Sequence, residues 1–144
     1  MAGRIAIGSD HAGFHLKERI KEHLAAKGLE PWDLGGFSPD PLDYPDPAHA
    51  VADAVRRGEA SMGVLICGSG VGVSIAANRH KGVRAALAWR PEIGRLAREH
   101  NDANVLALPA RFVTEQEALA IIEAFLGAAF EGGRHQRRVE KIEC

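Results

Sequence analysis

The chain has few cysteines, two in 144 residues, and Cys67 and Cys144 are badly placed for a structural disulfide. One follows an apolar run and the other is the last residue, a pattern that suits a reducing compartment. No stretch approaches the roughly 18 apolar residues that a membrane span needs. The amino terminus, MAGRIAIGSD, enters a strand pattern without the long apolar core of a leader. A cytoplasmic protein is expected. Neither sign of charge dominates: 18 Lys and Arg against 19 Asp and Glu leave a net charge of −1. No nucleic-acid footprint follows from that balance, and a small substrate is the better expectation. Internal repeats, linkers and low-complexity stretches are also missing. With 46% hydrophobic and 26% charged residues, the composition is that of one globular domain over 1–144, long enough to bury its own core.

What the chain does contain is an alternation. Arg4 to Ser9 is a short apolar run, followed by a helix pattern with Leu16, Ile20 and Leu24 four apart and Lys17, Glu18, Lys21 and Glu22 on the other side. Gly28 stops that helix. Leu29 to Leu34 is a weaker strand, and the four prolines between Phe37 and Pro47 require a loop. Asp46-Pro47 suits the N-cap and first position of a helix through Val51 and Val55. Met62 to Ile66 and Val83 to Trp89 read as strands, with a helix between them that ends near Asn78. Pro91 opens a helix that closes at His100-Asn101-Asp102. Asn104 to Leu108 is the fifth strand, and Thr114 with Glu117 forms a capping box for the next helix. Gly132 to Glu143 is polar enough for a short terminal helix. The alternation predicts an α/β fold: a doubly wound, five-stranded parallel sheet of the Rossmann or flavodoxin kind, with a C-terminal helical tail. Ligands of such sheets bind beyond the carboxyl ends of the strands. Asp10-His11, the loop around Tyr44, and Cys67 all fall there.

The candidate chemistry centres on Cys67-Gly68-Ser69-Gly70-Val71-Gly72. A strand, a tight turn and a helix start offer backbone N–H groups from Gly68 to Gly72 to an anion or oxyanion. A dinucleotide fingerprint would need glycine where Val73 stands and an acidic residue where the next strand ends in Trp89-Arg90, and a Walker A lysine is absent. Nucleotide readings therefore fail. Cys67 is a small hydrophobe or, in the field of a helix start, a thiolate that could act as nucleophile or base. Residue order leaves these roles open. His100, beside Asn101 and Asp102, is a candidate acid/base or a helix-end cation. His11 and His15 are four apart, but no further ligand cluster accompanies them, so no metal is expected. His23, His49 and His80 read as surface residues without partners. Arg134 and Arg138, four apart with Arg137 beside them, would share a helix face and suit a phosphate, or simply form a solvated face balanced by Glu131, Glu140 and Glu143.

Several segments together resemble one family: Gly8-Ser-Asp-His-Ala-Gly13, Asp43-Tyr-Pro45, Ile66-Cys-Gly-Ser-Gly-Val-Gly72 running into Ser74-Ile-Ala-Ala-Asn78, His100-Asn-Asp-Ala-Asn-Val105 and Glu131-Gly-Gly-Arg-His135. They are similar to ribose-5-phosphate isomerases of type B, a group related to the galactose-6-phosphate isomerase subunits, over essentially the whole chain. The resemblance implies isomerisation of ribose 5-phosphate and ribulose 5-phosphate through an enediolate, with no metal or cofactor. It makes Cys67 the base and His100 the residue that assists ring opening. Ser69 keeps a hydroxyl where many members have threonine. It places Asp10, His11, Tyr44, the Gly68–Gly72 turn and Asn101 on the sugar, and Arg134, Arg138 and Arg111 as the basic residues of the site. It further implies a homodimer, or a dimer of dimers, in which His100, Asn101 and Arg111 reach the site from the partner. Leu108-Pro109-Ala110 departs from a more glycine-rich lead-in to Arg111. No glutamate at Val73, Ser74 or Ile75 rivals Cys67. An isomerase of a tetrose, allose or galactose phosphate, and a phosphosugar-binding module without turnover, are the alternatives.

Overall fold

The computed structural model describes residues 3–144. Five strands form one parallel sheet: β1 (Arg4–Ser9), β2 (Glu30–Asp33), β3 (Met62–Cys67), β4 (Ala85–Leu87) and β5 (Val105–Pro109), in the order β2-β1-β3-β5-β4. The helices between and after them are α1 (Phe14–Ala26), α2 (Pro45–Arg56), α3 (Val71–Ala77), α4 (Pro91–Asn101), α5 (Glu115–Leu126) and α6 (Arg134–Glu140). The sheet is doubly wound, as the alternation predicts.

Side-chain alternation along the strands divides the core in two. Ile5, Ile7, Val64, Ile66, Leu106 and Leu108 face α1, α4 and α5. Ala6, Leu65, Cys67, Val105 and Ala107 face α2 and α3. Both faces of the sheet are thus covered, which explains why β3 and β5 read as unbroken apolar runs. Phe125, Ile121 and Ile122 of α5 are buried, each contributing about 2–3 kcal/mol of transfer free energy as an upper figure.

The local signals place most helix boundaries. Pro91 sits in the first turn of α4, and Thr114 with Glu117 makes the full capping box of α5. Helix α2 starts two residues before the expected Pro47, at Pro45, so Asp46 lies in its first turn instead of capping it. There the carboxylate still complements the positive end of the helix. Strand β4 is shorter than Val83 to Trp89. Beside it the Asn78 side chain donates to Ala85 O at 2.9 Å and accepts from Ala85 N at 2.8 Å, closing the outer edge.

Lys17 departs most from the sequence pattern. Expected on the solvent side of α1, it is fully buried. Its ammonium donates to Asp33 on β2 and to Glu18, and Lys21 donates to the same Asp33 oxygen at 2.9 Å. Asp33 in turn accepts from Gly35 N–H at 3.1 Å. A buried charge is tolerated when paired in this way. The network fixes the exit of β2, where Ser9 N–H donates to Gly35 O at 3.1 Å.

Candidate active site

The sheet order reverses between β1 and β3, and the carboxyl ends of those strands carry the first group of candidate residues. Asp10, at the exit of β1, is buried and caps the 3-10 turn His11–Gly13, its Oδ1 accepting from Gly13 N–H at 3.1 Å. His11 Nδ1 accepts from Leu42 N–H at 3.3 Å. Neutral His11 therefore carries its proton on Nε2 and presents a donor outward. That bond commits one His11 nitrogen to the proline-rich loop, whereas His15 is exposed against the edge of Phe14.

Cys67 ends β3 and is buried, 5% exposed, in the core under α2 and α3. Its carbonyl accepts from Ala110 N–H at 2.9 Å, and that of Gly68 from Arg111 N–H at 3.0 Å. The turn is thereby stitched to the exit of β5, and Leu108-Pro109-Ala110 delivers Arg111 to it despite lacking glycine. Gly70 has φ +75, and a methyl group there would lie 2.5 Å from Leu87 Cδ1. Both facts require glycine. At Gly72 a methyl group would lie 2.7 Å from Tyr44 Cε1, so the Tyr44 ring rests directly on the start of α3.

The expected run of N–H groups is shortened by one. Val71 N–H donates to Ser69 Oγ at 3.2 Å, which leaves the Ser69 hydroxyl proton free to point elsewhere. Among the described residues nothing accepts from the N–H groups of Gly68, Ser69 or Gly70. Arg111 also differs from expectation. Its guanidinium lies over Gly68 of its own chain, with Nη1 3.0 Å from where a Cβ would stand. It needs no partner to reach the turn.

The second group lies at the other end of the sheet. Helix α4 runs back against the strands and finishes with His100 and Asn101, just before β5 begins. Val105 pairs with Gly63 at that end, and Pro109 pairs with Cys67 at the other, a span of about 13 Å. Arg134 and Arg138 are exposed on α6, which packs on α4. The two helices are joined by His135, whose ring stacks on that of His100 with centroids 4.2 Å apart and planes 14° from parallel. Within one chain, then, the structure gathers Asp10, His11, Tyr44, Cys67, the glycine turn and Arg111 in one place. His100, Asn101, Arg134 and Arg138 it gathers in another.

Two residues without an expected role, Glu131 and His135, join the second group. Glu131 Oε1 lies 3.5 Å from His135 Nε2 and 3.9 Å from His100 Nε2. Two imidazoles and a carboxylate are a set that could hold a metal ion, and their ligand atoms lie within 4.8 Å of one another. No short ligand spacing signals this set, because His100 is 31 residues from Glu131. Burial, then the positive surroundings of His100, Arg134 and Arg138, hold His135 below its ordinary pKa. His49 and His80 are not partnerless: His49 Nδ1 and His80 Nε2 stand 2.7 Å apart. His23 Nε2 likewise meets Glu123 at 2.7 Å.

Comparison with known proteins agrees over nearly the whole length. The profile of the ribose/galactose isomerase family matches residues 5–142. A ribose-5-phosphate isomerase B of Escherichia coli is 51% identical over 139 residues, covering 96% of this chain and 93% of that protein. The crystal structure of a ribose 5-phosphate isomerase from Thermotoga maritima superimposes with a TM-score of 0.97 at 49% identity, over 99% of both chains. That of ribose-5-phosphate isomerase B from Mycoplasma genitalium, solved with bound ribulose-5-phosphate, gives 0.93 at 52% identity, over 96% of this chain and 93% of that one.

Proposed function

Since the chain belongs to the ribose/galactose isomerase family, we propose that it interconverts ribose 5-phosphate and ribulose 5-phosphate within one domain spanning 1–144. The observation that carries the mechanism is the division of the site residues between the two ends of one sheet. Neither group suffices. Cys67 has a base's place with Arg111 as the one arginine at the turn beside it, and Arg134 and Arg138 have anchors but no base. A homodimer that sets the His100 end of one protomer against the Cys67 end of the other completes two sites at once by two-fold symmetry.

In that assembly Arg134 and Arg138 of one protomer hold the phosphate, with Arg111 of the other adding positive charge above Gly68. His100 passes a proton to the ring oxygen as the bond from C1 to that oxygen breaks, the anomeric hydroxyl loses its own proton to water and the C1 carbonyl forms. Asp10, His11, Tyr44 and Asn101 bind sugar hydroxyls. Cys67, as the thiolate, removes the C2 proton of the open aldose. The C2–H electrons form the C1–C2 double bond, and the negative charge moves to the oxygen on C1. The N–H groups of Gly68, Ser69 and Gly70 and the Ser69 hydroxyl meet that charge. As O2 passes its proton to O1 and the C2 carbonyl forms, the electrons of the C1–C2 double bond take the thiol's proton at C1, which gives the ketose and restores the thiolate. The step uses no cofactor. The reading places the enzyme in the cytoplasm, in keeping with the absence of any helix long and apolar enough to cross a membrane among the described residues.

A panel of ribose, tetrose, allose and galactose phosphates tests the assignment. Ribose 5-phosphate is expected to turn over fastest. Cys67→Ala is expected to keep binding and lose turnover by about 10²–10⁴-fold. Tight binding without solvent-deuterium exchange at C1 or C2 would replace the isomerase by a binding module.

A further inference from the structure

His135 is the one histidine of the chain held almost entirely out of solvent, 7% exposed, and its Nε2 has no hydrogen-bond partner. A buried ring nitrogen without a partner loses about 1–3 kcal/mol of hydration without compensation. It faces Glu131 Oε1 at 3.5 Å without a hydrogen bond between them, and His100 Nε2 approaches the same oxygen at 3.9 Å. Three donor atoms of the kinds that suit zinc thus converge from three places in the sequence: the end of α4, the loop before α6, and α6 itself. The backbone holds that convergence, since Glu131 N–H donates to Glu99 O at 3.0 Å. The ligand atoms lie within 4.8 Å of one another. Tetrahedral zinc needs them at about 3.3 Å, and His100 and Glu131, both partly exposed, have the freedom to close onto the fixed His135.

We propose that His100, Glu131 and His135 form a binding site for a transition-metal ion of the zinc type, and that occupancy withdraws His100 from the isomerase reaction. Arg134 and Arg138 lie on the same helix and oppose a bare cation. The site therefore suits an ion gripped by imidazole nitrogen, not magnesium or calcium, which depend on charged oxygen. With three protein donors, and Glu131 open to solvent, the fourth position is free for water or a sugar hydroxyl. The metal binding stands on these residues alone. The loss of activity rests on the role given to His100 above.

The test uses the full-length protein in its native oligomeric state, with Zn2+ alone, titrated against a chromophoric chelator. One ion per chain is expected. Glu131→Gln and His135→Asn should each weaken it about tenfold or more, and His80→Asn should leave it unchanged. Glu131 is exposed, so its variant keeps the test open if removal of the buried His135 prevents folding. Undiminished affinity in Glu131→Gln, or a thiolate charge-transfer band when Co2+ replaces Zn2+, would put the ion elsewhere and overturn the site. Ribose 5-phosphate turnover should fall in step with occupancy and recover on chelation, and the Glu131→Gln variant should resist the inhibition. Full turnover with the site occupied would overturn the withdrawal of His100 and leave the metal site standing. No turnover in metal-free protein would instead overturn the isomerase reading, with the chelator titration unaffected.

Discussion

Cys67 and His100 stand at opposite ends of the same parallel sheet, one closing β3 and the other closing the helix that leads into β5. The strand between those ends spans about 13 Å, more than a side-chain rotation bridges. The reaction proposed for the chain needs both, and the proposed homodimer supplies them by setting opposite ends of two sheets together.

This relationship predicts complementation. Cys67→Ala and His100→Asn should each be inactive alone. When the two are unfolded together and refolded as an equal mixture, half of the dimers pair one of each, and each such dimer holds one intact site. About a quarter of wild-type activity should return. A mixture as silent as its components would mean that each chain builds its site from its own residues.

The phosphate role of α6 predicts a kinetic signature. Arg134→Ala and Arg138→Ala should each raise KM by about tenfold or more, with a smaller change in kcat, because the anchor is used in ground and transition states alike. Lysine at the same positions should restore only part, since it lacks the planar fork of donors. A fall in kcat at unchanged KM would move these arginines away from the phosphate.

Tyr44 and Gly72 predict a coupled pair. Gly72→Ala places a methyl group 2.7 Å from the Tyr44 ring and should cost about 1–3 kcal/mol of stability, together with much of the activity. In a Tyr44→Ala background the same substitution should cost much less stability. Equal costs in both backgrounds, measured by urea unfolding, would show that the ring is not what excludes the side chain.

The Lys17–Asp33 network predicts the direction of acid sensitivity. Burial alone would raise the Asp33 carboxyl, but hydrogen bonds from Lys17, Lys21 and Gly35 outweigh it and hold its pKa below the ordinary 3.8. A carboxyl depressed by folding adds stability that is complete above its ordinary value and is lost as pH falls through the folded one. Asp33→Asn should therefore cost about 1–3 kcal/mol near neutrality, where it leaves the buried Lys17 ammonium with Glu18 as its one carboxylate. The gap to wild type should narrow as the pH drops below 3.8. A gap independent of pH, followed by thermal melts, would show that packing and not charge is at stake.

Much of this molecule was legible because its signals are local. Pro91, the Thr114–Glu117 box and Gly70 each act within a few residues, and the apolar runs of β3 and β5 announce strands covered on both faces. The resemblance supplied the site residues, and the topology then sorted them into two groups. What could not be read depends on distant partners. Lys17 has the spacing of a solvent-facing lysine and is buried only because Asp33 lies 16 residues on. His49 and His80, 31 apart, meet across α2 and the end of α3. The stacking of His135 on His100 needs α6 to fold back onto α4, which no periodicity encodes. The place of Arg111 is hidden from the sequence for a related reason. Its reach to Gly68 depends on the carbonyls of Cys67 and Gly68 anchoring the exit of β5.

Asn78 completes a different task with one side chain. At Ala85 its amide takes both the donor and the acceptor place that a neighbouring strand's peptide would occupy. It acts as a single-residue stand-in for a sixth strand, and β4 ends the sheet without a proline or a charge of its own, unlike the opposite edge, β2, which carries Glu30, Pro31 and Asp33. Removing that amide would leave Ala85 open to backbone pairing with another chain, turning a finished edge into a growing one.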